Sequence, residues 1–166
     1  ASLGPSWLAH GGLSLERFMQ VVRSQCKNKR SANVAVAKFL MNQGKTSGIG
    51  NYILSETLYL ARIYPWAICG DLDEEAWTAV HAAAVDVISR SYSSQAALAE
   101  RASIAQQQLS ATFGTLFSFE LYVYRKKRSP EGHPVLKDTG PHGRSVFWVS
   151  QRQTRGSNDH IVSNRV

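Results

Sequence analysis

An α+β fold, in which a mainly helical body is followed by a small β-hairpin module, is predicted by three observations. Apolar residues recur at helical spacing through most of the first 92 residues, the period changes to two near residue 117, and Gly and Pro punctuate the stretch between two β-rich runs. In SLERFMQVVRS, residues 14–24, Leu15, Phe18, Val21 and Val22 form the stripe of a short helix that Ser14 caps. The polar, basic CKNKRSAN leads to a second helix carrying Val34, Val36, Ala37, Phe39, Leu40 and Met41, with Asn33 as its cap and a stop near Asn42 and Gln43. GKTSGIGN breaks the chain with three glycines. The stripe resumes from Tyr52 to Ile63, and Pro65 bars its continuation. GDLDEEAW starts a further helix, with Asp73, Glu74 and Glu75 clustered where the N-terminal partial charge favours acids, and the pattern runs to about Tyr92.

The Ala-, Gln- and Ser-rich residues 93–116 suit either another helix or a partly ordered loop. Phe117, Phe119, Leu121 and Val123 then alternate with Ser118, Glu120, Tyr122 and Tyr124, which predicts a strand, and SVFWV at 145–149 predicts another. The expected organisation is a helical domain over 1–116, a hairpin module over 117–153 and a disordered tail over 154–166. Tyr52, Tyr59, Trp66 and Trp77 fall on helical stripes and are assigned to the core.

A chain of 166 residues can bury a core without help from disulfides or metal. No stretch approaches the roughly 20 apolar residues of a membrane span, since the best, Ala76 to Val85, contains His81 and is closed by Asp86. The opening ASLGPSWLAHGG has neither a basic start nor an apolar centre, so no secretory signal is expected. Cys26 and Cys69 could form at most one bridge, which favours a reducing intracellular compartment. The net charge of +7 is unevenly placed. Residues 17–45 carry seven basic side chains and no acid, residues 121–166 carry nine against three, and the middle is acidic. Two basic blocks suggest two surfaces on one polyanion, because each Lys or Arg beside a phosphate releases condensed counterions. Charge alone leaves two solvated faces equally open.

The most informative stretch is NQGKTSGIGNYILSE, residues 42–56. Gly48 and Gly50 permit a tight turn with unshielded backbone N–H groups, and Asn51 opens the next helix. A phosphate fits such a turn, with Asn51 donating from its side chain and Lys45 adding charge, although most G-x-G-N turns only cap helices.

The run FLMNQGKTSGIGNYILSETLYLARIYPW resembles the helix-two-turn-helix signature of the formamidopyrimidine-DNA glycosylase and endonuclease VIII family. VYRKKRSPEGHPV followed by GRSVFWVSQRQ resembles that family's C-terminal finger, and the likeness extends from about Leu3 to Gln153. It implies the DNA-binding half of a base-excision-repair glycosylase with lyase chemistry. Asn51 would contact phosphates beside a damaged nucleotide, and Arg144, on the finger, would contact them from the other side. The implied partner is double-stranded DNA containing damaged bases or abasic sites, bound by a monomer inside the cell, in the nucleus, with no cofactor and no membrane. RKKR at 125–128 suits phosphate contact, a localisation patch or simple solvation.

Two departures shape what carries over. Most members hold the finger with four cysteines on zinc, yet those positions fall here near Glu131 and Pro134 and at Val149 and Arg152. The likeness is therefore to the zincless branch, with β-pairing and packing of Phe147, Trp148 and Val149 in place of the metal. The family's nucleophile is the amine of an N-terminal proline followed by a glutamate, on a β-rich domain not seen in this sequence. Pro5 has an amide nitrogen and cannot form the Schiff base. Lys45 is expected to be solvated and protonated, and Glu56 to be a structural acceptor buttressing the glycine turn rather than a general acid. No residue is assigned a catalytic role, and the chain alone is expected to be inactive. The alternatives are a non-catalytic DNA-binding or scaffold module and a helical interaction domain without DNA affinity.

Overall fold

The Ser14 hydroxyl accepts the Arg17 N–H at 3.2 Å and starts α1 (Leu15–Gln25), which buries Phe18, Met19 and Val22 while Leu15 stays exposed. The computed structural model describes residues 2–105 and 120–157. The basic connector is not featureless, because Asn28 Oδ1 accepts the Ser31 N–H at 2.9 Å and nucleates the four-residue α2 (Lys29–Ala32). Asn33 closes α2 instead of capping the next helix. That helix, α3 (Val36–Met41), has no side-chain cap, and its first N–H groups donate to Ala67 O and Pro65 O at 2.7 and 3.1 Å.

α4 (Asn51–Ala61) buries all but a few of its side chains and ends at Arg62, which takes the left-handed conformation at φ 62°. Asp73 Oδ1 accepts the Ala76 N–H at 2.7 Å and starts α5 (Glu74–Ala105). The first part of the ambiguous 93–116 stretch therefore continues this helix. α4 packs along α5, and Leu54, Leu58, Val80, Ala84 and Val87 are wholly buried. Each such Leu or Val contributes about 1.5–3 kcal/mol relative to exposure. Trp7, Phe18, Phe39 and Trp77 form a ring network with centroids 5.1 to 6.0 Å apart. Trp77 and Tyr59 are buried as expected, whereas Tyr52 and Trp66 are half-buried. No helix among the described residues is long and apolar enough to cross a membrane.

The second half departs from expectation in three places. Residues 120–124, within the predicted strand 117–124, form no strand, because the N–H groups of Tyr122, Val123 and Tyr124 donate to the Glu56 carboxylate instead of a ladder. Residues 117–119 of that strand lie outside the described residues. The hairpin pairs β1 (Leu136–Thr139) with β2 (Ser145–Trp148), antiparallel, in the register Leu136↔Trp148 to Thr139↔Ser145. Gly140 allows the return, since a Cβ there would collide with Val146 Cγ2. Residues 154–157, assigned to a disordered tail, are docked: Arg155 bonds through its backbone to Arg62 O and Tyr64 N, and Gly156 lies against Ala67 and Leu72. The remainder of that tail is outside the described residues.

β2 rests on α4, with Val123, Val149 and Tyr59 making a small second core. Val149 is fully buried, while Phe147 and Trp148 are partly so, Trp148 against Tyr64 and Trp66. Glu131 and Arg152, two of the four positions that lack the zinc-binding cysteines, belong instead to a polar clamp. Arg152 pairs with Glu131 at 2.7 Å, donates from Nε to Tyr59 O at 2.9 Å, and lies 4.3 Å from the Tyr59 ring centroid. The Tyr59 hydroxyl donates to the other Glu131 oxygen at 2.5 Å. Buried Gln153 accepts the Val149 N–H at 2.7 Å and donates to Ile63 O at 3.1 Å. Pro134 pairs with Arg128 across the loop.

The Tyr59 hydroxyl above all, helped by backbone and Ser129 donors and by the Arg152 charge, holds Glu131 down to about 2. A carboxylate whose folded pKa lies below its ordinary value of 4.5 stabilises the fold above that value and loses its contribution as the pH falls towards 2. Thermal unfolding between pH 6 and pH 2 should therefore show an acid limb in this window that Glu131→Gln flattens. An unchanged limb would exclude the clamp as its source.

Candidate nucleic-acid interface

The glycine turn is built by its neighbours. Gln43 staples it, donating from Nε2 to Met41 O and Ile49 O at 3.2 and 3.0 Å and accepting the Gly48 N–H on Oε1 at 2.9 Å. That N–H is therefore spent inside the loop and is not open to a phosphate. The entry segment adds backbone pairing, with Trp7 N donating to Ser47 O and Ser47 N to Pro5 O. Gly48 has φ 113°, and a Cβ there would lie 2.8 Å from Leu8 Cγ, so both backbone and packing require glycine. Gly50 is extended, accepts the Leu54 N–H on its carbonyl and forms the N-cap of α4 without a side-chain cap.

Asn51 is the first residue of α4. Its Nδ2 donates to Ser145 O at 2.7 Å, while its buried Oδ1 has no hydrogen-bond partner among the described residues. An amide nitrogen carries two hydrogens, so one remains for a ligand. Ser145 directly follows Arg144, and this bond brings together two residues that lie 93 positions apart in the chain. Asn51 and Arg144 line one cleft of about 460 Å³ with Tyr124, Arg125, Lys137 and Phe147. Arg125, Lys137 and Arg144 make no ion pair with a described residue. A cleft walled by three uncompensated cations and an amide donor is chemically suited to phosphate oxygens.

Lys45, in contrast, is exposed on the turn before Gly48 and does not line the cleft. Glu56 is a structural acceptor, but of a different segment from the one expected. Wholly buried, it accepts three consecutive N–H groups, Tyr122 at 2.8 Å on Oε2 and Val123 and Tyr124 at 2.9 and 2.8 Å on Oε1. It thereby anchors the wall of the cleft that carries Tyr124. Lys137 had no signal in the sequence because it sits in LKDT, whose four side chains are all exposed. Arg125 was visible only as part of a basic run. Among the described residues no group of three His, Cys, Asp or Glu side chains converges as a metal site.

The model of the formamidopyrimidine-DNA glycosylase H2TH domain matches residues 8–103. The chain is 36% identical over 90 residues to a formamidopyrimidine-DNA glycosylase of Arabidopsis thaliana, covering 54% of this chain and 21% of that protein. It is 31% identical over 91 residues to the enzyme of the same name from Exiguobacterium sibiricum, covering 55% and 31%. The chain thus spans a fifth to a third of the length of these curated relatives. In fold it is similar to a viral DNA glycosylase, with a TM-score of 0.62, 22% identity and coverage of 84% of this chain and 46% of that one. It is likewise similar to the Lactococcus lactis Fpg in a complex with abasic-site DNA, with a TM-score of 0.61, 20% identity and coverage of 91% and 51%.

Proposed function

Because the chain belongs to the formamidopyrimidine-DNA glycosylase family through its helix-two-turn-helix domain, we propose that it binds damaged double-stranded DNA as the C-terminal half of a base-excision-repair glycosylase. The observation that carries this reading is the 2.7 Å bond from Asn51 to Ser145 O, which joins the start of α4 to the hairpin and leaves Arg144 on the same cleft. The sugar-phosphate backbone is gripped there, with Asn51 on one side and Arg144 on the other. Lys45, outside the cleft, adds to the attracting field rather than to the contact. Base removal and strand cleavage require an amine nucleophile. Pro5 supplies none, because its nitrogen is a peptide amide and its carbonyl is bonded to Ser47 N.

Titration of an abasic-site duplex at several salt concentrations tests the reading. Affinity should fall linearly in log–log terms as salt rises, with a slope of about −0.9 per neutralised phosphate. The 166-residue chain should leave the strand intact and form no borohydride-trapped adduct. Absence of binding at low salt would favour an interaction domain without DNA affinity, and a trapped adduct would place a nucleophile in this chain.

A further inference from the structure

Arg125 stands where ordinary turn chemistry would put glycine. The Lys126 N–H donates to Val123 O at 3.0 Å, closing a turn from Val123 to Lys126 in which Arg125 is the third residue. Its φ is 58°, a left-handed conformation that a bulky side chain rarely takes and that Gly or Asn takes readily. The preceding three N–H groups are locked on buried Glu56, so the turn cannot relax by sliding. The guanidinium lies 5.3 Å from the Tyr124 ring centroid, and Arg125 lines the cleft with Asn51, Lys137 and Arg144. A cation on a left-handed backbone, beside an aromatic ring and with no ion pair to a described residue, is a pattern that turn chemistry alone does not explain, and such strain concentrates at functional positions.

We infer that Arg125 is a phosphodiester-contacting residue, held by its turn and by Tyr124 to meet the backbone beside the phosphates taken by Asn51 and Arg144. This rests on the DNA-binding reading above and extends it to a third contact. The contact of Arg125 with the Tyr124 ring favours a placement of the guanidinium on the cleft wall, so less freedom is lost on binding. Lys126 and Lys127, from the same basic run, do not line the cleft.

Arg125→Gly separates fold from function, because glycine suits the turn and removes only the side chain. The melting temperature should be unchanged or higher, while affinity for an abasic-site duplex falls about tenfold and the salt slope becomes shallower by about one. Lys127→Ala removes the same charge outside the cleft and should weaken binding less than about threefold at 0.15 M salt. Equal effects of the two variants, or an Arg125→Gly affinity within twofold of wild type, would overturn the contact. If Arg144→Ala still weakened binding in that case, the DNA-binding reading would stand without it. Wild-type protein that binds no duplex at low salt would remove both.

Discussion

Replacing Glu56 by Gln is expected to lower the unfolding free energy by roughly 3 kcal/mol, although the two side chains have nearly the same shape. The carboxylate is wholly buried and its two oxygens accept three consecutive N–H groups, so three of its roughly four lone-pair directions meet a donor. Gln offers one acceptor oxygen and turns an NH2 group towards at least one of these N–H donors. That leaves a buried donor unsatisfied and exchanges charge-assisted bonds for neutral ones. The damage falls on the Tyr122–Tyr124 segment, which carries buried Val123 and leads into the Arg125 turn. Amide exchange at residues 122–124 should accelerate more than at the α4–α5 core, and duplex affinity should fall with it. Denaturant unfolding within about 0.5 kcal/mol of wild type would show that the cradle contributes nothing beyond an ordinary surface site.

That cradle also marks where reading from sequence stops. Helix α1 and the part of α5 up to Tyr92 were legible because their buried residues recur at helical spacing, while α4, buried almost all round, was legible from its apolar run between the glycine turn and Pro65. Ser14 caps as expected. The four-residue α2 covers barely one helical turn and buries no side chain, so no repeat could show and only its Asn28 cap could have signalled it. Over the described residues 120–124 the alternation does not make a strand, because residues 122–124 satisfy their backbones on a carboxylate 66 to 68 positions away. The pairing partner of SVFWV is LKDT, whose side chains are all exposed and give no β signal.

At the site, Gly48, Gly50, Asn51 and Arg144 were visible through the motif and the family likeness, and the structure gathers Asn51 and Arg144 on one cleft. Lys45 is near Asn51 in sequence but lies outside that cleft. Arg125 and Lys137 become part of it only through the fold. Gln43 marks the end of a helix in the sequence, and its side-chain amide holds the glycine turn in the structure. The expectation of packing in place of zinc captured Val149. It missed the Glu131–Arg152–Tyr59 clamp, which depends on a residue of α4 more than 70 positions upstream of Glu131.

The second large effect concerns Asn51 and Arg144 as a unit. Arg144→Ala removes a charge-assisted phosphate contact and should weaken duplex binding by roughly 2 kcal/mol. Asn51→Ala removes its own contact and also frees Ser145 O, the residue next to Arg144, so part of its loss comes from an unanchored hairpin. Once Arg144 is gone, that part has nothing left to act on. The double variant should therefore lose less than the sum of the single losses.

A double-mutant cycle on abasic-site duplex affinity, with wild type, Asn51→Ala, Arg144→Ala and the double variant at one salt concentration, measures this coupling directly. Two side chains acting on the backbone through one cleft should show a coupling energy of about 1 kcal/mol or more. Strictly additive losses, or single variants that bind like wild type, would contradict it.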